Sequence, residues 1–163
     1  MARGASEEQK GKRTVSRVEW IRKLYSSVQE DTRELARQLD AMGAECEQKL
    51  RSESLFLYYM QLGRCMYTGE CIDITKLKDG TYNVDHIYPQ CFVKDDSVIN
   101  NKVLVLSKAN SDKGDQYPIP AKYRDDPSVR AHWDMLFKAG LSADTIAANL
   151  GITPEELRLL TSV

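Results

Sequence analysis

No run of apolar residues in this 163-residue chain is long enough to span a bilayer, so no membrane contact is expected. The first residues are polar and charged and lack the apolar block of a secretory leader. An excess of one charge is missing as well: 23 Lys and Arg stand against 24 Asp and Glu, a formal net charge of −1. A freestanding DNA binder shows a basic face. A chain this balanced reads instead as a domain whose substrate is delivered by a larger complex, with any basic patch local. The four cysteines, Cys46, Cys65, Cys71 and Cys91, include no C-x-x-C pair. Reduced intracellular thiols are the plain reading, and a zinc site built from Cys65, Cys71 and Cys91 is the alternative. What is present suffices for a folded core: 42% of residues are hydrophobic and 29% charged.

The stretch that organises the chain is Asn83-Val84-Asp85-His86-Ile87-Tyr88-Pro89. Val84 and Ile87 favour an extended segment, in which neighbouring side chains leave on opposite faces. Asp85 can then hold a metal on one side while His86 reaches a water on the other. Pro89 has no N–H to give and ends the strand or leaves it at an edge. Downstream, Val103 to Leu106 is a short β-prone run. Ser107 is placed to cap a helix carrying Asn110 and Lys113. Strand, loop, strand, helix is a ββα unit, with His86 on the first strand, Asn101 before the second and Asn110 on the helix. That ordered set is the His-Asn-Asn form of the HNH nuclease motif.

The flanks extend the likeness. Leu57-Tyr58-Tyr59-Met60-Gln61-Leu62-Gly63-Arg64-Cys65-Met66-Tyr67-Thr68-Gly69 and Val84-Asp85-His86-Ile87-Tyr88-Pro89-Gln90-Cys91-Phe92-Val93-Lys94-Asp95-Asp96-Ser97 closely resemble the HNH domain of type II CRISPR RNA-guided DNA endonucleases. Met1-Ala2-Arg3 and Leu160-Thr161 resemble the family's junctions with its RuvC-like segments. The resemblance implies an α+β domain, a ββα-metal core at about 82–114 with a short hairpin, surrounded by helices. Residues 1–15 would be the linker from the preceding RuvC-like segment and 16–163 the nuclease domain, with a helical extension at about 128–163. It implies a monomeric isolated domain, acting in a bacterial cytoplasm, hinged at both ends to the RuvC-like domain, which docks on a guide RNA–DNA heteroduplex and cuts the guide-paired target strand.

The chemistry assigns roles. Cleavage of a phosphodiester needs an activated water, charge neutralisation and help for the leaving oxygen. Imidazole, with a reference pKa of roughly 6.5, suits His86 as general base. Asp85 offers a carboxylate oxygen and Asn110 an amide oxygen, a donor set suited to Mg²⁺, with Mn²⁺ as substitute. By resemblance the ion binds the scissile phosphate, leaving 3′-hydroxyl and 5′-phosphate ends, and Asn101 braces the loop. Lys113 is a candidate phosphate contact; Tyr82, Lys94 and Lys108 are candidate substrate neighbours. Asn83 stands where a close relative has Asp, and Asn100-Asn101 lengthens the loop by one residue.

Around this core, Ser16 and Glu19 have capping-box spacing ahead of an apolar face of Val18, Ile21, Tyr25 and Val28, with Leu24 at its margin. A second helix is expected from Asp31, stopped at Gly43, and a buried one over Ser54 to Leu62, stopped at Gly63. A hairpin should turn at Thr68-Gly69, and Gly114 to Pro127 reads as a connector. Val129, Trp133 and Leu136 mark a helix over Ser128 to Ala139, with His132 a packing residue beside them. Residues 142–163 depart from the family and resemble a helix-turn-helix, with Thr153 as cap and Pro154 at the first helical position. They motivate the rival reading, a non-cutting DNA-binding or regulatory module. Glu155 and Glu156 would repel phosphates, which favours a structural helix pair.

Overall fold

The computed structural model describes residues 16–28, 30–86, 102–114 and 120–138. The 1–15 linker and the helix-turn-helix-like segment lie outside them. Helix α1 (Arg17–Ser27) starts at Ser16, whose hydroxyl accepts from the Glu19 backbone N–H at 3.1 Å. Ile21 and Leu24 are its buried residues, so Leu24 belongs to the core face and not to its margin. Arg17 ties α1 to the next layer: its guanidinium donates to the Leu50 carbonyl at 2.6 Å and lies 4.8 Å from the Phe56 ring centre.

Helix α2 (Arg33–Ala41) begins two residues later than the sequence suggests. Asp31 uses its carboxylate to accept from the Arg33 N–H and to pair with the Arg33 guanidinium, contacts that hold its carboxyl down at about 2. Gly43 adopts the expected left-handed φ of +59°, yet the chain winds on through a 3-10 turn, Gly43–Glu45, into α3 (Cys46–Lys49). Helix α4 (Glu53–Met60) is capped by Ser52 and buries Phe56 to Met60 without a break. It closes on two left-handed residues, Leu62 (φ +57°) and Gly63 (φ +71°), with the Gly63 N–H on the Tyr58 carbonyl at 2.8 Å. A Cβ on Gly63 would sit 3.3 Å from the Tyr58 ring, so glycine is required there twice over.

The sheet is two antiparallel strands, β1 (Tyr82–His86) and β2 (Lys102–Leu106), with Asp85 opposite Val103 and His86 opposite Lys102. So small a sheet leaves an open edge. Here Gln61, 1% exposed, closes it: its amide donates to the Leu104 carbonyl at 2.9 Å and accepts from the Leu104 N–H at 2.7 Å, as a third strand would. Cys65 Sγ accepts from the Leu106 N–H beside it. The turn at Gly69 forms, but pairing around it reduces to one bridge, Arg64 with Cys71. Helix α5 (Ser107–Lys113) follows β2 directly. Ser107 is its first residue and not its cap; the hydroxyl donates to the Gly80 carbonyl and so anchors the turn that leads into β1.

The connector contains a single helical turn, α6 (Ala121–Arg124), held by the Tyr123 hydroxyl on Asp112 at 2.6 Å. Helix α7 (Pro127–Lys138) buries Val129, Trp133 and Leu136 as their spacing indicates. The Trp133 indole donates to the Met66 carbonyl at 2.7 Å and His132 Nε2 meets the Gln61 carbonyl at 2.8 Å, so α7 clamps the segment that closes the sheet. That carbonyl can only accept, so Nε2 carries the proton and Nδ1 has no partner among the described residues.

Burial pushes the His132 imidazole down to about 4. The unfolded chain takes up this proton near 6.5 while the folded chain resists it. Stability is therefore expected to fall by about 3 kcal/mol between pH 6.5 and 4. Urea midpoints across that range should show a slope that His132→Gln flattens; an unchanged slope in the variant assigns it to other groups.

Candidate active site

Strand β1 and helix α5 meet in two rungs. Strand alternation puts Asn83 and Asp85 on one face and Val84 and His86 on the other. The first rung is Asn110 Nδ2 donating to Asn83 Oδ1 at 3.2 Å; the second is Lys113 Nζ on Asp85 Oδ2 at 3.1 Å. Two strand residues advance about 6.8 Å and three helical residues about 4.5 Å, and the longer lysine side chain spans the difference of about 2 Å. The two contacts bring Asp85 and Asn110 to the same wall, though 25 positions separate them in sequence. His86 ends the strand, and its carbonyl accepts from Lys113 Nζ at 3.0 Å.

Asp85 is held firmly. Besides Lys113, the Tyr67 hydroxyl donates to the same Oδ2 at 2.7 Å. Tyr67 is fully buried and its phenol is pushed well up, first by burial and then by the adjacent carboxylate, so it remains a protonated donor. Lys113, expected to face phosphate, is 1% exposed and sits behind Asp85 with its ammonium shared between that carboxylate and the His86 carbonyl. A buried ammonium is sustainable only with such compensation. Tyr82 is likewise not open to substrate: it is buried and its hydroxyl accepts from the Asp73 N–H at 2.8 Å, while Lys108 is exposed on α5. Asn101 and Lys94 lie outside the described residues.

The amide of Asn110 is oriented by a relay. Asn83 Nδ2 donates to the Tyr82 carbonyl at 3.1 Å, which turns its own Oδ1 toward α5. Asn110 answers with its N–H, so its carbonyl oxygen points off the rung and stays an acceptor. The donor chemistry fits Mg²⁺, which is bound by one or two protein oxygens and completes its shell with water and phosphate. Among the described residues no group of three or more His, Cys, Asp or Glu converges, so no zinc-like cluster forms there. Cys65 is buried and Cys71 exposed, and Cys91 lies outside the described residues.

The strand that carries Asp85 and His86 was legible in the sequence; the hydrogen bond of Asn83 to Asn110 was not. Tyr67 was not found. It sits 18 residues upstream in an aromatic-rich stretch where nothing separates a ligand holder from a core residue.

Comparison with known proteins bears on the fold and the family. Residues 65–119 match the HNH endonuclease family. The CRISPR-associated endonuclease Cas9 of Streptococcus mutans is 45% identical over 93 residues, 57% of this chain and 6% of that protein. That of Listeria innocua is 37% identical over 120 residues, 74% of this chain and 8% of its own length. The chain thus spans under a tenth of these relatives. A crystal structure of Streptococcus thermophilus Cas9 in complex with the AGAA PAM superposes with a TM-score of 0.56 at 24% identity, over 89% of this chain and 14% of that one, which supports the α+β fold. Among the described residues no helix is long and apolar enough to cross a membrane. With a ββα unit carrying Asp85, His86 and Asn110 inside the matched segment, the chain bears a domain of the HNH endonuclease family, similar to that of the Cas9 endonucleases.

Proposed function

We propose that this domain hydrolyses the DNA strand paired to a guide RNA, as one part of a larger bacterial effector acting in the cytoplasm. The observation that carries the reading is the two-rung register of β1 and α5, which sets a carboxylate and an amide oxygen on one wall beside His86. His86 takes a proton from the attacking water. Asp85 and Asn110 would hold an ion, Mg²⁺ or Mn²⁺, which when bound would neutralise charge on the phosphate and at the leaving oxygen. Lys113 fixes Asp85 in place and acts on the phosphate only through the carboxylate that it positions. Asn101 braces the loop between the strands. The domain's own net charge of −1 supports delivery of the heteroduplex by the rest of the effector, joined through both ends of the chain.

The test uses the intact effector with its RuvC-like centre inactivated and each strand of the target separately labelled. Only the guide-paired strand should be cut, to 3′-hydroxyl and 5′-phosphate ends, and a chelator should stop the reaction. Cutting of the displaced strand, or cutting that persists in chelator, overturns the proposal.

A further inference from the structure

We infer that Tyr67 is a positioning residue for the metal-binding carboxylate: its buried hydroxyl and the Lys113 ammonium grip Asp85 Oδ2 and leave Oδ1 to the ion. This rests on the reading of Asp85 as a metal ligand. The contacts are 2.7 Å from Tyr67 Oη and 3.1 Å from Lys113 Nζ, and both fall on one oxygen. Tyr67 is 0% and Lys113 1% exposed, so neither donor can be replaced by bulk water. Tyr67 is itself fixed by its neighbours: the Cys65 N–H bonds the Glu70 carbonyl, the Gly69 N–H bonds the Cys65 carbonyl, and the Met66 carbonyl receives the Trp133 indole. The turn from 65 to 70 is therefore a rigid bracket behind the site. A carboxylate with two donors on one oxygen has its side-chain torsions set before the ion arrives, and the ordering entropy is already met in folding. Outer-sphere donors of this kind change metal affinity by roughly 10–100-fold.

The experiment is a Mn²⁺ titration of the 163-residue chain, followed by the loss of the free-ion EPR signal, in wild type, Tyr67→Phe and a variant with p-aminophenylalanine at position 67. Tyr67→Phe should weaken Mn²⁺ binding about 10-fold, and the aminophenyl group, again a donor, should recover most of it. In the intact effector, cutting by Tyr67→Phe should return toward the wild-type rate as Mn²⁺ is raised. Wild-type affinity in Tyr67→Phe, or weakened affinity that the donor does not rescue, overturns the inference and leaves Tyr67 as core. Absence of Mn²⁺ binding by wild type, alone and within the effector bound to its target, overturns the assignment of Asp85 itself.

Discussion

His86→Ala is expected to slow cutting of the guide-paired strand by about 100- to 10,000-fold, the range that a positioned acid or base contributes. Guide-directed binding of DNA should be unchanged. His86 is the last residue of β1 and is only partly buried, so truncating it opens no cavity in the core. One contact at this point of the chain is made by the His86 carbonyl, which Lys113 holds at 3.0 Å. Its strand partner Lys102 is secured separately, on Glu53 at 2.9 Å. The carboxylate and amide that would bind the ion therefore stay in place when the imidazole goes. Single-turnover cleavage of labelled duplex, with binding measured in the same samples, separates the outcomes. A loss below about 10-fold removes His86 as the base, since that is too small for the step assigned to it. A parallel loss of DNA binding would instead mean that the side chain supports the docked state.

How much of this was legible in the sequence depends on whether a contact is local. The ββα unit was readable because Val103 to Leu106 is a compact apolar run and because Val84 and Ile87 mark the strand that holds Asp85 and His86. Ser16 was readable as a cap because it and Glu19 obey a fixed spacing. Gln61 was not. It closes the sheet edge on Leu104 across 43 positions, and no period in the chain announces that pairing. The inward turn of Lys113 was missed for a related reason. A lysine on a short polar helix reads as solvated, and only the register of α5 against β1 brings it to Asp85. Ser107 had the composition of a cap, but it is the first helical residue and its hydroxyl donates to the Gly80 carbonyl. Local capping and periodicity gave the elements. Which charges face each other across them is a property of packing.

Asp85→Ala is the variant in which fold and site are hardest to separate, and a second substitution resolves them. Removing the carboxylate takes away one of the two proposed metal ligands. It also strands the Lys113 ammonium, 1% exposed, with only the His86 carbonyl remaining, and deprives the Tyr67 hydroxyl of its acceptor. Breaking a buried pair from one side costs about 3–5 kcal/mol, and the 15% exposure of the Asp85 side chain places the expected loss near the lower figure, about 3 kcal/mol. Replacing the lysine as well, in Asp85→Ala/Lys113→Met, removes the uncompensated charge and fills its space with an apolar chain of similar length. Urea denaturation should then recover about half or more of that loss, the unpaired Tyr67 hydroxyl keeping about 1 kcal/mol of it, while Mn²⁺ binding stays absent. Asn110→Ala supplies the complementary case, because its oxygen is the second proposed ligand while its amide makes one hydrogen bond to Asn83. That variant should lose Mn²⁺ affinity with a stability change of about 1 kcal/mol. Two variants that fail to bind the ion, one unstable and one not, with the unstable one repaired by a change that adds no ligand, is a pattern that general unfolding cannot produce. If Asp85→Ala is as stable as wild type, Lys113 is not balanced by that carboxylate, and the second rung of the site is not what holds it together.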